Sequence, residues 1–439
     1  MKTHFLLGFI IIIQFSGVSQ NIAFEEYDLS NGLHVILHQD TSVPLVSIGV
    51  SYHVGSKDED PSKTGFAHFF EHLLFEGTKN IERGAWDKLV AMHGGNNNAT
   101  TNQDRTYYYE NFPSNSLELG LWLESERLLH PIINQKGVTI QKEVVQEERR
   151  MRIDNTPYGR WQEQMFKNLF TNHPYKWPVI GSMDHLASAT LEDFKKFKSI
   201  YYVPNNAVLV VSGDLQIPKT KELIERYFAT IPSGASINKK VYKETPLSKA
   251  IETTFVDQNI QIPLVMLGYR TPAMHSRDAY VLNMISSYLS DGKSSVLYKT
   301  LVDEKELALQ IFAFNFSLED YGAYIVGGLP VADNSLEAIR KEVDAAIFKI
   351  QTALIKERDY QKLQNKFETD FVQSNSSVTG IAKSLANYYQ LYNNTNLINT
   401  EIAIYKSITR EEIKKVASKY LKLDQRVLLN YIPKGYTIQ

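Results

Sequence analysis

The segment "GFAHFFEHLLFEGT", residues 65–78, decides how the rest of this sequence is interpreted. Its apolar residues recur with helical period and lead to a glycine, which predicts a helix over residues 65–77. On that helix His68 and His72 share one face, about 6 Å apart. Two imidazoles at this separation can bind one Zn²⁺ ion, and Glu71 can take a proton from an attacking water molecule.

The same spacing also occurs on amphipathic helices that carry surface histidines and bind no metal. Here the neighbours Phe69, Phe70 and Leu73 are apolar, which favours a largely buried helix. Buried polar groups need partners, and a metal ion would provide one. We therefore favour a metal site. A catalytic zinc ion keeps three protein ligands and one open position, so a third ligand must lie elsewhere in the chain.

Composition sets the broad class of protein. The chain has 439 residues, of which 43% are hydrophobic and 22% charged, as expected for a globular protein of about two domains. Its net charge is -2 and it has no basic run, so nothing indicates nucleic acid as a partner. It has 0 cysteines, which excludes disulfides, thiolate metal sites and a cysteine nucleophile.

The first residues, "MKTHFLLGFIIIIQFSGVSQ", are typical of a signal peptide over residues 1–20. Lys2 supplies the positive start, and the apolar run from Phe5 to Phe15 is shorter than the roughly 20 residues that span a bilayer. The alternative is a buried N-terminal strand. We expect an exported protein, periplasmic or secreted, with no membrane span.

The remaining pattern predicts an internal duplication. Alternating residues predict strands over residues 32–40 and 45–56, with helices and further strands after them. A polar, loop-like segment follows at residues 232–248, and after it a similar order of strands and helices recurs. We expect an α+β fold with two homologous domains, each a mainly antiparallel sheet with helices packed on one side.

The predicted domain bounds follow from this pattern. After the signal peptide we expect an N-terminal zinc-binding domain over residues 21–235 and a linker over residues 236–248. A homologous C-terminal domain then covers residues 249–439.

The order His-x-x-Glu-His is the inverzincin pattern. With the later stretch "KEVVQEER", residues 142–149, the chain resembles the pitrilysin/insulinase family of zinc peptidases, in particular its short-chain branch with the mitochondrial processing peptidases and bacterial relatives. The resemblance implies that Glu148 is the third zinc ligand, with Glu147 as the alternative. The family often has a further glutamate seven residues before the ligand. This chain has Gln141 there, and we leave its role open.

A second stretch, "GGNNNATTNQDRTYYYENF", resembles the strand that borders the cleft in this family. By resemblance, Asn98 lies near the scissile bond. Ala99, Thr100 and Thr101 then offer main-chain groups to an extended substrate, which would bind by strand addition. Without the resemblance, a flexible turn would be the preferred interpretation of the first part of this stretch.

The chain departs from the family pattern in its C-terminal half. Active relatives carry an arginine and a tyrosine there, seven residues apart, which contact the substrate and the oxyanion. The matching positions are Val302 and Leu309, and neither side chain can donate a hydrogen bond. The resemblance therefore implies a homologous partner chain that supplies both donors.

These observations predict a zinc-dependent endopeptidase subunit with one Zn²⁺ per chain, which hydrolyses peptides or unfolded segments as the catalytic half of a heterodimer. One alternative is a non-catalytic assembly or binding subunit that has retained the family fold. Another is a maturation protease with a single dedicated substrate, which the sequence alone does not distinguish from a general oligopeptidase.

Overall fold

The computed structural model describes residues 21–331 and 334–438. The predicted signal peptide lies outside the described residues. In the N-terminal half the strands are β1 Glu25–Asp28, β2 His34–Gln39, β3 Leu45–Tyr52, β4 Asn96–Thr101, β5 Thr106–Pro113 and β6 Ala207–Gly213. Its helices are α1 Phe66–Leu73, α2 Trp86–Met92, α3 Leu117–Leu129, α4 Gln135–Arg149, α5 Trp161–Leu169, α6 Met183–Ser188, α7 Leu191–Tyr201 and α8 Ile217–Phe228.

The C-terminal half repeats this kind of organisation. Its strands are β7 Ile251–Asp257, β8 Leu264–Pro272, β9 Ala308–Ser317, β10 Tyr321–Pro330 and β11 Arg426–Pro433. Its α-helices are α9 Arg277–Ser290, α10 Leu336–Thr352, α11 Glu357–Ser374, α12 Val378–Tyr392, α13 Leu397–Ser407 and α14 Arg410–Tyr420, and a π-helical turn covers Tyr298–Glu304. Within the described ranges, no helix is both long and apolar enough to cross a bilayer.

The two sheets share one topology. The N-terminal sheet is 6-stranded, in the order β1-β2-β6-β3-β5-β4, and the C-terminal sheet is 5-stranded, in the order β7-β11-β8-β10-β9. In each sheet one parallel pair, β2 with β6 or β7 with β11, is followed by antiparallel pairs. Strand β1 is the one addition to the common set. The predicted fold class is confirmed, and the duplication explains it.

The helices repeat as well. Five helices separate β5 from β6, and five separate β10 from β11. The last helix of each set starts at a threonine capping box, Thr190 with Asp193 and Thr409 with Glu412, in which each side chain bonds the other residue's backbone N–H. The segments "TLEDFKKF" and "TREEIKKV" that follow these caps are visibly related.

Each half covers one face of its own sheet with its own helices and leaves the opposite face to the other half. Helix α12 packs on β3 and β6, where Ile381 and Leu385 join the core around Val210. Reciprocally, α5 packs on β8 and β11, where Met165 and Phe166 join the second core of the C-terminal sheet. Because both faces of the central strands are covered, β6 is buried along its whole length and has no polar face.

The structure adds detail to the local pattern of the sequence. The stretch over residues 94–112, which the sequence likens to a single strand at the cleft, contains two strands, β4 and β5. The Asn102 side chain accepts hydrogen bonds from the backbone N–H groups of Asp104 and Arg105, both at 2.8 Å, and this bonding forms the turn between them. Helix α4 is α-helical as far as Arg149, and the chain continues as a π-helical turn to Asp154. Residues 232–248 contain neither helix nor strand, as predicted for the loop.

Candidate metal centre

Helix α1 presents His68, Glu71 and His72 away from the core. Its other side carries Phe69 and Phe70, which are 0% exposed. The helix is 8 residues long, and the backbone N–H groups at its N-terminus need hydrogen-bond acceptors. Glu59 caps them, since its carboxylate accepts hydrogen bonds from the backbone N–H groups of Gly65 and Ala67, both at 2.8 Å. A carboxylate at a helix N-terminus is also favoured by the helix dipole.

Helix α4 brings Glu148 to this face of α1. The Oε2 atom of Glu148 lies 3.0 Å from Nε2 of His72 and 3.6 Å from Nε2 of His68. These three residues form a group whose ligand atoms all lie within 4.8 Å of one another. Two ligands of a tetrahedral zinc ion with bonds of about 2.1 Å are about 3.4 Å apart, so these separations fit a shared ion.

The burial of the Glu148 carboxylate also supports a metal ion shared by these three residues. Its Oε2 atom is buried and has no hydrogen-bond partner of good geometry among the described residues. A buried carboxylate oxygen without such a partner is costly, and a cation at the centre of the group would remove that cost. The other oxygen, Oε1, forms an ion pair with Nε of Arg152 at 3.1 Å, which leaves Oε2 free to ligate.

The protonation states suit metal binding. Burial, together with the charge of the neighbouring His72, lowers the pKa of His68 to about 4. Contact with the His72 imidazole lowers the pKa of Glu148. At neutral pH His68 is therefore neutral and Glu148 is ionised, which are the forms that ligate metals. Burial raises the pKa of Glu71, whose Oε2 atom is buried without a hydrogen-bond partner among the described residues.

Helix α4 is held in place at both ends. Its first turn is capped by Asn134, whose side chain accepts from the backbone N–H of Gly137 at 2.9 Å. At its last turn, the buried Arg149 donates to the carbonyl oxygen of Gly181 at 2.6 Å and forms an ion pair with Glu163 at 2.7 Å. Gly181 in turn packs directly on Gly65 at the start of α1, so Arg149 links the positions of α1 and α4.

The alternative ligand and the neighbouring amide lie outside the converging group. The Glu147 side chain is 58% exposed and pairs with Arg150 at 2.9 Å. The amide of Gln141 donates to Oε1 of Glu76 at 2.5 Å, and Arg83 donates to the same oxygen at 3.1 Å. Gln141 therefore stabilises the segment that follows α1 by its hydrogen bond to the buried carboxylate of Glu76.

The residues predicted to bind substrate lie on strand β4. This strand is at the edge of its sheet and pairs with β5, and no strand within residues 21–331 and 334–438 pairs with its other edge. Asn98 and Thr100 point to the exposed side, whereas Ala99 is buried. The Thr100 hydroxyl accepts from Arg105 at 3.1 Å. Thr101 is half-buried at the end of the strand.

The two C-terminal positions differ in their surroundings. Val302 lies in the π-helical turn and packs against the C-terminal core, whereas Leu309 is 53% exposed on β9. Strand β9 occupies the same place in its sheet as β4 does in the N-terminal sheet. The exposed position thus carries an apolar side chain at the edge of the C-terminal half.

A cleft of about 570 Å³ adjoins the converging group. Its wall is formed by one side of α4 and the turn after it, with Glu143, Val144, Met151 and Arg152 next to His72. Sequence reasoning did not single out Arg152 or Glu59. The spacing of four residues between Glu148 and Arg152 on a helix could have indicated their ion pair, whereas nothing local identifies Glu59 as the cap of α1.

Comparison with known proteins places the chain among peptidases of one family. Residues 34–182 match the family model described as Insulinase (Peptidase family M16), and residues 188–367 match the model described as Peptidase M16 inactive domain. The zinc protease PqqE of Helicobacter pylori is 33% identical over 411 residues, covering 91% of this chain and 90% of that protein.

Solved structures agree with this assignment. A protease from Helicobacter pylori superposes with a TM-score of 0.90 at 31% identity, covering 94% of this chain and 100% of that one. The periplasmic protease PqqL from Escherichia coli has the same fold, with a TM-score of 0.75 at 18% identity. The match covers 93% of this chain but only 47% of PqqL.

Proposed function

The chain belongs to the insulinase family of peptidases, family M16, and from that premise we propose that it is a zinc metalloendopeptidase. In this proposal His68, His72 and Glu148 hold one Zn²⁺ ion and Glu71 is the general base. The substrates are peptides or unfolded segments that bind in extended form.

One observation carries the proposal. Two imidazoles on α1 and one carboxylate on α4 converge at separations of 3.0 and 3.6 Å, the range that a single tetrahedral ion requires. The name of the Helicobacter pylori relative, a zinc protease, supports zinc as that ion. When bound, zinc would supply the Lewis acidity that activates water and polarises the scissile carbonyl.

The protein residues would carry the proton and align the peptide. Glu71 stands on α1 one residue before His72, beside the metal group and outside it, as a general base requires. It would accept the proton of the attacking water and then deliver it to the leaving amine. The open edge of β4, around Asn98, Ala99 and Thr100, would hold the substrate by main-chain pairing, which makes little demand on its sequence.

We further propose that a homologous chain completes the enzyme. Val302 and Leu309 occupy the positions at which the family pattern has its two donors. The corresponding partner would carry arginine and tyrosine at those positions and face this chain's metal group. In PqqL, a chain about twice as long contains this fold as one half, which supports a pairing of two such units.

A non-catalytic binding subunit is the second candidate, favoured by the two apolar replacements in the C-terminal half. The intact His-x-x-Glu-His motif and the convergence of Glu148 argue against it, because a chain without catalysis has no need to keep them. Export remains part of the proposal, supported by the signal-like residues 1–20 and by the periplasmic PqqL.

The proposed function is tested by cleavage of an unstructured fluorogenic peptide. The purified chain is assayed alone and with homologous chains from the same organism that lack the histidine motif. Activity should disappear with a chelator and return with stoichiometric Zn²⁺. A protein that binds zinc but cleaves nothing under any of these conditions would favour the binding subunit.

A further inference from the structure

The equivalent hairpins of the two halves meet at their turns. One turn, residues 102–105, joins β4 to β5, and the other, residues 318–320, joins β9 to β10. The Asp104 carboxylate accepts a hydrogen bond from the backbone N–H of Glu319 at 3.0 Å. The Tyr175 hydroxyl donates to Asp104 and accepts from the backbone N–H of Asp320 at 3.1 Å. The hairpin that carries the open strand β4 is thus fastened to the C-terminal half.

The ammonium group of Lys57 lies at the centre of this contact. It is 3.1 Å from Asp104, 2.6 Å from Glu319 and 3.2 Å from Asp320. The Lys57 side chain is only 9% exposed and that of Asp104 only 2%. The ammonium group donates hydrogen bonds to Glu319 and Asp320 and forms an ion pair with Asp104, so one lysine attracts carboxylates from both turns at once.

Lys57 is itself fixed to the β4–β5 turn by the backbone. Its N–H donates to the carbonyl oxygen of Gln103 at 3.0 Å, and the N–H of Ser56 donates to Asn102 at 3.1 Å. Gly55 permits this approach, since a Cβ atom there would lie 2.3 Å from the carbonyl carbon of Gln103. The backbone hydrogen bonds therefore fix the position of the Lys57 Cα atom, and the carboxylates fix the position of its ammonium group.

The position of the turn determines the position of β4. This strand has a neighbour on one side, β5, and continues directly into the turn. Arg105 in the turn donates a hydrogen bond to the Thr100 hydroxyl on β4. A displacement of the turn would therefore also displace the strand. Without the lysine, Glu319 would keep its contacts with His53 and Lys239, and Asp320 its contact with His173. The nearly buried Asp104 would lose its ion pair with Lys57 and would face the two carboxylates of the other turn, so the contact between the turns would weaken.

We propose that Lys57 is a positioning residue for peptide hydrolysis, which holds the substrate strand β4 at its correct place beside α1 by fastening its hairpin to the C-terminal half. The inference rests on the proposed function, because it takes β4 as the strand that binds substrate. Lys57 does not touch the substrate. It acts through Asp104.

The kinetic test compares Lys57→Met with Lys57→Arg and with a matched control. The control is Lys366→Met, since Lys366 also bridges two carboxylates, Asp291 at 2.9 Å and Asp370 at 2.6 Å, within the C-terminal half alone. Loss of one main-chain hydrogen bond to an added strand corresponds to a KM increase of about threefold to tenfold. Lys57→Met should show this increase with unchanged kcat and zinc content. Lys57→Arg should recover most of the affinity, and Lys366→Met should match the wild type.

A second measurement does not depend on activity. Hydrogen exchange of the β4 amides, residues 97–101, should accelerate in Lys57→Met and stay at the wild-type rate in Lys366→Met. If Lys57→Met does not fold, Asp104→Asn, which keeps the shape and removes one charge, should give the same increase in KM and in exchange.

The outcomes separate the two proposals. A wild-type protein that cleaves no peptide, alone or with a homologous partner chain, overturns the proposed function and with it a role of Lys57 in hydrolysis, and hydrogen exchange then shows only whether Lys57 holds β4 in place. Unchanged KM and unchanged exchange in Lys57→Met would overturn the positioning role while peptidase activity stands. If kcat fell in proportion to the fraction of folded protein while KM stayed constant, Lys57 would only stabilise the fold. That result would also overturn the positioning role.

Discussion

Substitution of Glu319 by glutamine should destabilise the protein in a way that depends on pH. Burial alone would raise the pKa of Glu319, but the hydrogen bond and charge of His53, with the charges of Lys57 and Lys239, outweigh it and lower the pKa from 4.5 to about 2. The side chain is 19% exposed, so solvent screens these interactions only in part. A shift of this size corresponds to about 3 kcal/mol of stability at neutral pH, as an upper estimate.

The sign follows from the direction of the shift. The folded-state pKa lies below the unfolded value, so the stabilisation is complete above about pH 4.5 and is lost as the pH falls through about 2. Urea unfolding of wild type and Glu319→Gln across this range measures it. The variant should be less stable by about 3 kcal/mol at pH 7, and the difference should vanish near pH 2.

The control is Glu368→Gln, which removes the partner of Lys406 in an ion pair whose two side chains are 49% and 48% exposed. It should cost about 0–1 kcal/mol at any pH. A difference between wild type and Glu319→Gln below 1 kcal/mol at pH 7, or one that does not change with pH, would refute the reasoning about the contact between the two turns.

Three further changes test the site and its surroundings. Glu71→Gln should keep its zinc and lose about 10²–10⁴-fold in kcat, since the amide accepts no proton from water; near-normal turnover in a peptide-cleavage assay would exclude Glu71 as the base. Gly55→Ala should lower the free energy of unfolding by about 1–3 kcal/mol, because the added Cβ lies 2.3–2.4 Å from the 103–104 peptide; an unchanged urea midpoint would contradict this. The chain alone should be a weak peptidase, and the double substitution Val302→Arg with Leu309→Tyr should raise its kcat by roughly 10²-fold, because two copies of the variant could then supply the donors to each other; full activity of the unmodified chain alone would show that these positions mark no missing function.

Helix α1 and its polar face could be predicted from sequence because the residues that define them are close together in the chain. His68, Glu71 and His72 stand within one helical turn, and the apolar residues between them show which side is buried. Glu148 lies on another helix, and it was the resemblance to a known family that selected it over Glu147. The structure brings Glu148 into the group and leaves Glu147 exposed.

The exchange of α5 and α12 between the halves could not be predicted in the same way. Both segments have the pattern of amphipathic helices, and a pattern of this kind says that one face is buried but not against which sheet. The same limit applies to Lys57 and to the bond between Gln141 and Glu76. Their partners lie far away in sequence, and the local sequence around a charged residue does not indicate whether it is solvated or enclosed.

The zinc content of two matched variants tests the central claim most directly. Glu148→Gln and Glu147→Gln make the same chemical change at adjacent positions of α4, one inside the converging group and one in an exposed ion pair. After purification with Zn²⁺ and extensive dialysis, elemental analysis should find close to one zinc per chain in Glu147→Gln and little in Glu148→Gln, with both proteins folded. Full zinc in Glu148→Gln, or loss of zinc in Glu147→Gln alone, would contradict the assignment of Glu148 as the third ligand.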